Sequence, residues 1–338
     1  MRRFALACVV VVCACSHDHR TPLVVYSPHG KALLSDLAQR FMRLHPDIDV
    51  QPVDMGAQEI IDRVRAEAVN SQADVWFGGP ESSFERAAKE GLLEPYTPTW
   101  AAYVPAEARD SADRWFGTYL TPEVIGYNSV AIPDSAAPKD WDDVLDPKWK
   151  GKVLIRDPVA SGSMRAIFGA ILARSVTATG STAAGWTWLK RLDANTKEYA
   201  LNPTLLYQKL GRQEGVITLW DMPDIATLQD RLHIPVKYTV PASGTPILVE
   251  GIAIVKGTKH LAAAKAFYEF VTTPEMLLVA AREDKRIPVR TDMPEDSLPE
   301  WIRAARREIK PMPVNRALLA DSLDDWMTYW DSHIRRHG

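Results

Sequence analysis

Leu23-Val-Val-Tyr-Ser-Pro-His-Gly30 is a short apolar run with β-branched residues that ends in a turn, and it begins the pattern that decides the fold. Apolar residues then recur at helical spacing as far as His45-Pro46, where the helix must break. Residues 47–53 alternate apolar and polar side chains as a second strand, and residues 73–77 form a third that stops at Gly78-Gly-Pro80. Strands that alternate with helices at this spacing predict βαβ units and a mainly parallel sheet.

The middle and the end of the chain continue this pattern. Residues 115–128 predict a long strand pair or crossover, and the apolar runs 153–155, 215–220 and 249–255 predict further strands. Helical spacing follows Ser161-Gly-Ser163, and the tail beyond residue 288 is helical and rich in arginine and tryptophan. The sequence therefore belongs to the α/β class.

The N-terminus has the pattern of an export signal. Arg2-Arg3 precedes a short apolar run that ends at Val12-Cys-Ala-Cys15, and this run is too short to cross a bilayer, which takes about 20 residues. The ending resembles a bacterial lipobox, which would make Cys15 the lipidated first residue of the mature protein. A plain cleaved signal or a misassigned start remains the alternative for residues 1–15.

Composition limits the remaining possibilities. The chain has 338 residues and 46% hydrophobic residues, enough for two domains with sizeable cores. Its formal charge of −3 argues against a nucleic-acid binder or a protein held electrostatically to an anionic membrane. No cysteine follows Cys15, so the mature protein must rest on its hydrophobic core rather than on disulfides.

Several motifs, in this order and spacing, carry a family resemblance. They include Ala73-Asp-Val-Trp-Phe77, Pro138-Lys-Asp-Trp-Asp-Asp-Val-Leu-Asp-Pro-Lys-Trp-Lys-Gly-Lys152, Asp157-Pro-Val-Ala-Ser-Gly162 and Gly251-Ile-Ala-Ile-Val-Lys-Gly257. The chain resembles the periplasmic solute-binding proteins of bacterial ABC importers, type II. The most similar group holds ferric-iron, aminoethylphosphonate and sugar-phosphate binders. The resemblance covers the chain from about residue 23 to residue 288.

This resemblance implies a two-lobed periplasmic-binding-protein type II fold. Each lobe would be a mixed, mainly parallel sheet flanked by helices, with a ligand cleft that closes by hinge bending. Lobe 1 would comprise 22–118 and 242–290, and lobe 2 would comprise 119–241 and 291–338. The protein would be a monomer at the periplasm or cell surface, held to the membrane by its lipid only. Its partners would be a small anionic solute and a permease in the inner membrane, with no nucleic acid and no cofactor.

An anion site is predicted at Ser161-Gly162-Ser163. A helix N-terminus offers N–H donors and partial positive charge, glycine allows close approach, and two hydroxyls add donors. The alternative is an ordinary helix cap at Ser161. The resemblance implies that this segment binds the anionic group and that Asn202 is a further anion contact. Arg165 is expected to point into solvent.

Other candidate site residues follow predicted strands, where ligands of open α/β sheets bind. They are Ser27, His29, Gly79, Trp220 and Asp221, together with Glu250 just before the strand at Gly251. Asp221 and Glu250 would accept hydrogen bonds from hydroxyls or an ammonium, and Trp220 would cover an apolar face of the solute, unless it only packs in the core.

Three other functions stay open beside organophosphate or phosphonate capture. Ferric iron is the alternative cargo. The resemblance implies that ferric binders hold the metal partly with two adjacent tyrosines, and this chain has Asp221-Met222 at that position, so no metal ligands are assigned. A hydrolase using Asp221 with Glu250 is the weaker alternative, because the sequence contains no catalytic motif. A sensor lipoprotein that has lost its ligand is the third.

Overall fold

The computed structural model describes residues 19–335, and strands and helices alternate from its first element onward. The first half comprises β1 (Thr21–Ser27), α1 (Lys31–Leu44), β2 (Ile48–Asp54), α2 (Ala57–Ala66), β3 (Val75–Pro80), α3 (Glu81–Lys89), β4 (Leu93–Glu94), β5 (Phe116–Asn128) and β6 (Val153–Arg156). The predicted strands at 47–53 and 153–155 are confirmed, and residues 115–128 form one continuous strand rather than a pair.

The second half is more helical. It comprises α4 (Gly162–Thr179), α5 (Ala183–Asn195), β7 (Thr196–Ala200), α6 (Pro203–Gly211), β8 (Ile217–Asp221), α7 (Met222–Asp230), β9 (Val236–Thr239), β10 (Ile247–Val255), α8 (Leu261–Val271), α9 (Pro274–Glu283), β11 (Ile287–Pro288), α10 (Glu300–Glu308) and α11 (Arg316–His333). The predicted helical tail is confirmed as α10 and α11.

Strand pairing joins two mixed sheets through one long strand. In the first, β1 pairs in parallel with β2 and β3, while β10 runs antiparallel to β3 and β5. In the second, β6 pairs in parallel with β7 and β8, and β5 runs antiparallel to β8 and β9. Because β5 pairs with β10 at one end and with β8 at the other, it crosses from one lobe to the other.

The buried hydrophobic residues form two clusters, which is the expected consequence of a chain too long for one core. One cluster gathers residues from Leu23 to Tyr119 and from Val249 to Ile302, and the other gathers residues from Val124 to Val236 and from Ala305 to Ile334. The two-lobed α/β fold is therefore confirmed. The predicted lobe boundaries stay a prediction. The first cluster extends to Ile302, beyond the predicted end of lobe 1 at residue 290.

The C-terminal helix α11 contacts both lobes. Its Leu323 and Trp330 are buried in the second cluster, while Asp324 makes ion pairs with Arg86 on α3 and Arg165 on α4. Arg165 was expected to face solvent, but that expectation is wrong. It is buried because the far side of α4 is covered by α11.

The backbone corrects one further expectation, the turn at Gly78 and Gly79. Gly78 and Gly79 were assigned to a turn after the third strand, but they belong to β3, which continues through Pro80. Both have positive φ, and a side chain at Gly78 would overlap the His29 imidazole, so the strand passes close beneath that ring.

The predicted lipidation residue, Cys15, lies outside the described residues. Among residues 19–335, no helix is long and apolar enough to cross a membrane.

Candidate functional site: the cleft between the lobes

A cleft of about 830 Å³ lies between the two lobes and contains most of the predicted site. Its walls come from the ends of β1, β2 and β3 in one lobe and from β6, β8 and the helices after them in the other. Its size is within the range of cavities that hold small organic ligands. The site therefore forms where the carboxyl ends of parallel strands meet, as the fold class predicts.

Besides α3 and α7, whose caps Pro80 and Asp221 also line the cleft, four helices present their N-termini to it. The lining residues include the first residues or caps of α1, α2, α4 and α6, at Lys31, Ala57, Gly162 and Asn202. Each N-terminus carries unpaired backbone N–H groups and a partial positive charge. The convergence of four such ends favours an anionic group in the cleft.

Arg156 adds a full positive charge at the same place. It is the last residue of β6, lines the cleft, and is only 6% exposed. Its Nε has no hydrogen-bond partner in the described chain, and its neighbour Asp157 pairs instead with Arg335 at 3.0 Å. Burial lowers the pKa of Arg156, which is the sign of a cation that lacks sufficient compensation.

The residues predicted to bind the anion lie beside it. Ser161 is the N-cap of α4, where its Oγ accepts a hydrogen bond from the Met164 N–H at 3.3 Å. Asn202 caps α6 in the same way and accepts from the Leu205 N–H at 2.9 Å. Ser161, Gly162, Ser163 and Asn202 all line the cleft. The capping role is thus present, and the anion-binding role stays a prediction.

Glu250 is the centre of a buried ion network on the cleft floor. It contacts the His29 Nε2, accepts from the Thr121 hydroxyl at 2.5 Å, and lies 3.5 Å from the Arg286 Nη1. Burial alone would raise the pKa of Glu250, but the charges of His29 and Arg286 and these hydrogen bonds outweigh it and lower the pKa to about 2.

Aromatic and polar contacts hold the side chains of His29 and Trp220 beside this network. The His29 ring packs against Phe77 and Tyr119, with ring centroids 4.7 and 5.6 Å away. Trp220 Nε1 donates to the Tyr207 hydroxyl at 3.2 Å and to Asp224 Oδ2 at 3.3 Å. The Trp220 indole is therefore held by hydrogen bonds as well as by packing.

Arg286 connects the two lobes across the floor. Besides Glu250, its guanidinium reaches the Asp224 Oδ1 at 3.5 Å, and Asp224 also accepts from the Tyr207 hydroxyl. Burial alone would lower the pKa of Arg286, but Glu250 and Asp224 raise it above its usual value. The cation is thus shared between a residue of β10 and a residue of α7.

Asp221 and Glu123 complete the floor without a cation of their own. Asp221 caps α7 and accepts from the Asp224 N–H at 2.8 Å. Burial and the neighbouring Asp224 raise the pKa of Asp221 well above its usual value. Glu123 is completely buried, and burial with the nearby Asp221 raises its pKa likewise.

The cleft contains nine of the ten predicted ligand-binding residues. His29, Gly79, Trp220, Asp221 and Glu250 line it together with the four residues of the predicted anion site. Ser27 lies outside the lining, where its Oγ accepts from the His29 N–H at 3.2 Å and so supports the loop. Whether these residues contact a solute stays a prediction.

Sequence reasoning missed several lining residues, namely Thr121, Arg156, Tyr207, Asp224 and Arg286. Arg156 carried a readable signal, since it ends a predicted strand directly before the chosen loop. Arg286 carried none, because its position depends on how the chain returns to β5 after α9. No set of three or more His, Cys, Asp or Glu side chains in residues 19–335 is arranged to hold a metal ion.

Known sequences with the same organisation are solute-binding proteins. Residues 36–308 match the family of bacterial extracellular solute-binding proteins. A probable ABC transporter periplasmic-binding protein of Sinorhizobium fredii is 32% identical, over 85% of this chain and 79% of its own. A putative 2-aminoethylphosphonate-binding periplasmic protein of Salmonella typhimurium is 25% identical, over 73% and 71% of the two chains. An Fe(3+)-binding periplasmic protein of Serratia marcescens is 24% identical, over 74% and 73%.

A solved structure has the same fold. The periplasmic binding protein AfuA of Actinobacillus pleuropneumoniae, with fructose-6-phosphate bound, superposes with a TM-score of 0.79 at 21% identity, over 93% of this chain and 99% of its own. At this identity the likeness concerns the fold alone. Together with the family match, it identifies the chain as a member of the bacterial extracellular solute-binding proteins, the periplasmic solute-binding component of an ABC transporter.

Proposed function

We propose that this protein captures a small phosphorylated sugar or polyol, or a phosphonate, by closing its lobes around it, and delivers it to a permease in the inner membrane. The observation that carries the proposal is Arg156, a buried guanidinium in the cleft with no ion-pair partner within 4.0 Å in the described chain. A buried cation without a counter-ion is costly, and a bound oxyanion would supply both the charge and the hydrogen-bond acceptors it lacks.

The helix N-termini support the same assignment. A phosphoryl or phosphonyl group beside Arg156 would accept from the backbone N–H groups of Gly162 and Ser163 and from the two serine hydroxyls. The lobes meet at this place, because a Cβ at Gly162 would be 3.2 Å from Pro80 Cδ across the cleft. Contacts from both lobes to one anion would favour the closed state. The floor residues Asp221 and Glu250 would then read the rest of the solute.

The test is thermal denaturation of the protein against pairs of solutes that differ only in the phosphoryl group. Glucose 6-phosphate is paired with glucose, and 2-hydroxyethylphosphonate with ethanol. Binding at a hundred times the dissociation constant stabilises the folded state by about 2.7 kcal/mol, which raises the midpoint by a few degrees. The proposal predicts this rise for at least one phosphorylated member and for neither parent. A rise with the parents alone, or with no member, contradicts it.

Ferric iron is the alternative cargo, as in the Serratia relative. Iron(III) prefers anionic oxygen ligands, and Tyr207 and Asp224 would be the nearest such pair to the position of the expected tyrosines. Their bond to each other and the Arg286 contact to Asp224 argue against it. A midpoint rise with ferric citrate and not with citrate would select iron over the organophosphates.

The protein would bind its solute without chemical change, as a monomer anchored through lipidated Cys15. Glu250, one member of the carboxyl couple that a hydrolase would use, is held by Arg286 and His29, which argues against a role as a catalytic acid or base. Recovery of the solute unchanged from the complex, and a mass increase on the N-terminal peptide that is lost in Cys15→Ser, would test these points. Hydrolysed solute, or an unmodified Cys15 peptide, would overturn the respective statement.

A further inference from the structure

Glu123 has a position that packing alone does not explain. It lies on β5, the strand that crosses between the lobes, and its side chain is 0% exposed. Neither carboxyl oxygen has a well-formed hydrogen bond within the described chain, although the Ser163 hydroxyl faces it and acts against the rise in its pKa. Buried carboxyl groups in native proteins are almost always hydrogen-bonded, so this one requires a partner.

Glu123 does not itself line the cleft, but its neighbours do, so it lies directly behind the lining. Thr121, two residues earlier on the same face of β5, lines the cleft, and so does Ser163. Across the sheet, Glu123 is the register partner of Asp221 on β8, another lining residue. Side chains directly opposite each other in an antiparallel pair share a face and lie about 5 Å apart at Cβ. The two carboxyls therefore form a pair at the cleft floor, which we call the carboxyl pair.

The charges around the carboxyl pair leave it without a cation. Asp224 and Glu250 are the other acidic groups that act on both members. Arg286 pairs with Asp224 and Glu250 at 3.5 Å each, and it makes no ion pair within 4.0 Å with Glu123 or Asp221 in residues 19–335. The guanidinium of Arg286, whose charge also acts to lower the pKa of Asp221, is thus already engaged by two other carboxylates. Two like groups opposite each other would repel if both were ionised.

Resting on the proposed function, we propose that the carboxyl pair of Glu123 and Asp221 receives a primary ammonium group of the solute, and that a proton leaves the pair for solvent when the ammonium binds. The solute would then carry an anionic group at Arg156 and a cationic group at the floor. Burial and the neighbouring carboxyls raise the pKa of both members, which favours a proton on the pair without ligand, and the ammonium would replace that proton as the compensating positive charge.

The chemistry of this exchange is specific to an amine. An ammonium donates three hydrogen bonds and supplies a full positive charge, so it can satisfy two carboxylates at once. A sugar hydroxyl supplies donors but no charge, and it would leave the pair protonated. The inference therefore divides the solutes of the proposed function, favouring aminated phosphates or phosphonates over those with hydroxyls alone.

The experiment is isothermal titration calorimetry with solute pairs that share the phosphoryl group and differ in the amine. The pairs are 2-aminoethylphosphonate with ethylphosphonate, and glucosamine 6-phosphate with glucose 6-phosphate. Each titration is repeated in two buffers with different ionisation enthalpies, which measures proton release. We expect the wild type to bind one aminated member at least tenfold more tightly than its partner, with net proton release.

Variants separate this inference from the proposed function. Glu123→Gln and Asp221→Asn keep the side-chain shape, and asparagine keeps the cap of α7. Both are expected to lower the amine preference at least tenfold and to abolish proton release, while Glu275→Gln, an exposed carboxylate on α9, leaves both unchanged. Equal affinity within every pair, or an unchanged preference in Glu123→Gln, overturns the carboxyl pair alone. Failure of every phosphorylated solute to bind overturns the proposed function as well.

Discussion

The two ends of the cleft treat buried charge in opposite ways. At the end formed by lobe 2, Arg156 is buried without an ion-pair partner in the described chain, and helix N-termini add to its positive potential. On the floor, Arg286 pairs with both Glu250 and Asp224, and His29 contacts Glu250. In a buried ion pair the two charges compensate each other within the protein, whereas a buried cation without a partner can be compensated by an anionic ligand.

The comparison therefore assigns different kinds of effect to the two ends. Changes at Arg156 should alter affinity for the anionic group far more than stability. Changes on the floor should alter stability, its dependence on pH, and selectivity among solutes that share that group. Each prediction below tests one side of this division.

Arg156→Ala is expected to have the largest effect, a loss of at least a hundredfold in affinity for a phosphorylated solute. Hydrogen bonds to charged groups contribute about 1.5–3 kcal/mol each, and two of them account for this loss. Calorimetry measures it, with Arg191→Ala on the exposed face of α5 as the control. The thermal midpoint should not fall, because the buried charge is removed. Wild-type affinity in Arg156→Ala would break the comparison.

The double variant Ser161→Ala with Ser163→Ala is expected to weaken binding at least tenfold, since it removes two hydroxyl donors and keeps the backbone N–H groups. Loss of the Ser161 cap also costs about 1 kcal/mol of stability. Thr273→Ala removes an equivalent cap on α9, outside the cleft lining. The Thr273 Oγ1 accepts a hydrogen bond from the Met276 N–H at 3.3 Å. The Thr273→Ala variant should reproduce the stability loss without the affinity loss. Equal affinity in both variants would mean that the serines only cap the helix.

Glu123→Gln is expected to stabilise the protein progressively as pH rises. A carboxyl whose pKa is raised in the folded state contributes stability at low pH, and that stability is lost as pH rises through the folded pKa. The gain of the glutamine variant should therefore be larger at pH 8 than at pH 5. Urea unfolding at both pH values measures it. A gain that does not change with pH would contradict a protonated Glu123.

Glu250 should give the opposite pH dependence on the same floor. Its pKa is lowered to about 2, so its contribution to stability is present above about pH 4.5 and is lost as pH falls toward 2. Glu250→Gln should destabilise the protein at pH 7 and lose most of that effect at pH 2.5, as followed by circular dichroism. An equal loss at both pH values would place the contribution in packing rather than in charge.

Asp324→Asn is expected to have the smallest effect, about 1 kcal/mol in stability, because the carboxylate itself is more than half exposed and screened by solvent, although its partner Arg165 is buried. The Asp324 side chain is 56% exposed and pairs with Arg86 of one lobe and Arg165 of the other. Asp325→Asn, its exposed neighbour on α11, is the control. A loss well above 1 kcal/mol would show that charges outside the cleft also couple the lobes.

Local sequence predicted most of the fold and the loops of the site. The run Leu23–Gly30 and the alternation that follows it specify βαβ units, because periodicity and turn residues act over short distances. Gly78 and Gly79 could not be assigned in this way, since glycine predicts a turn locally, whereas β3 continues through them beside β10 and beneath the His29 ring. Arg165 was misassigned for a similar reason, as its partner Asp324 is 159 residues away.

The ion network of the floor was the least predictable part of the site. Glu250 was chosen from its place before a strand, but its partners His29, Thr121 and Arg286 come from three distant segments. Arg156 was within reach, because it ends a predicted strand directly before a chosen loop. The sequence did not predict that Arg156 is buried without an acidic partner. The adjacent Asp157 pairs instead with Arg335, which is distant in sequence.

The most direct test of the account is a crystal structure of the protein with the phosphorylated solute that gives the largest thermal shift. The account predicts phosphoryl oxygens that accept hydrogen bonds from the Arg156 guanidinium and from the backbone N–H groups of Gly162 and Ser163. A phosphoryl group bound instead to Arg286 on the floor, with Arg156 still without a partner, would contradict it.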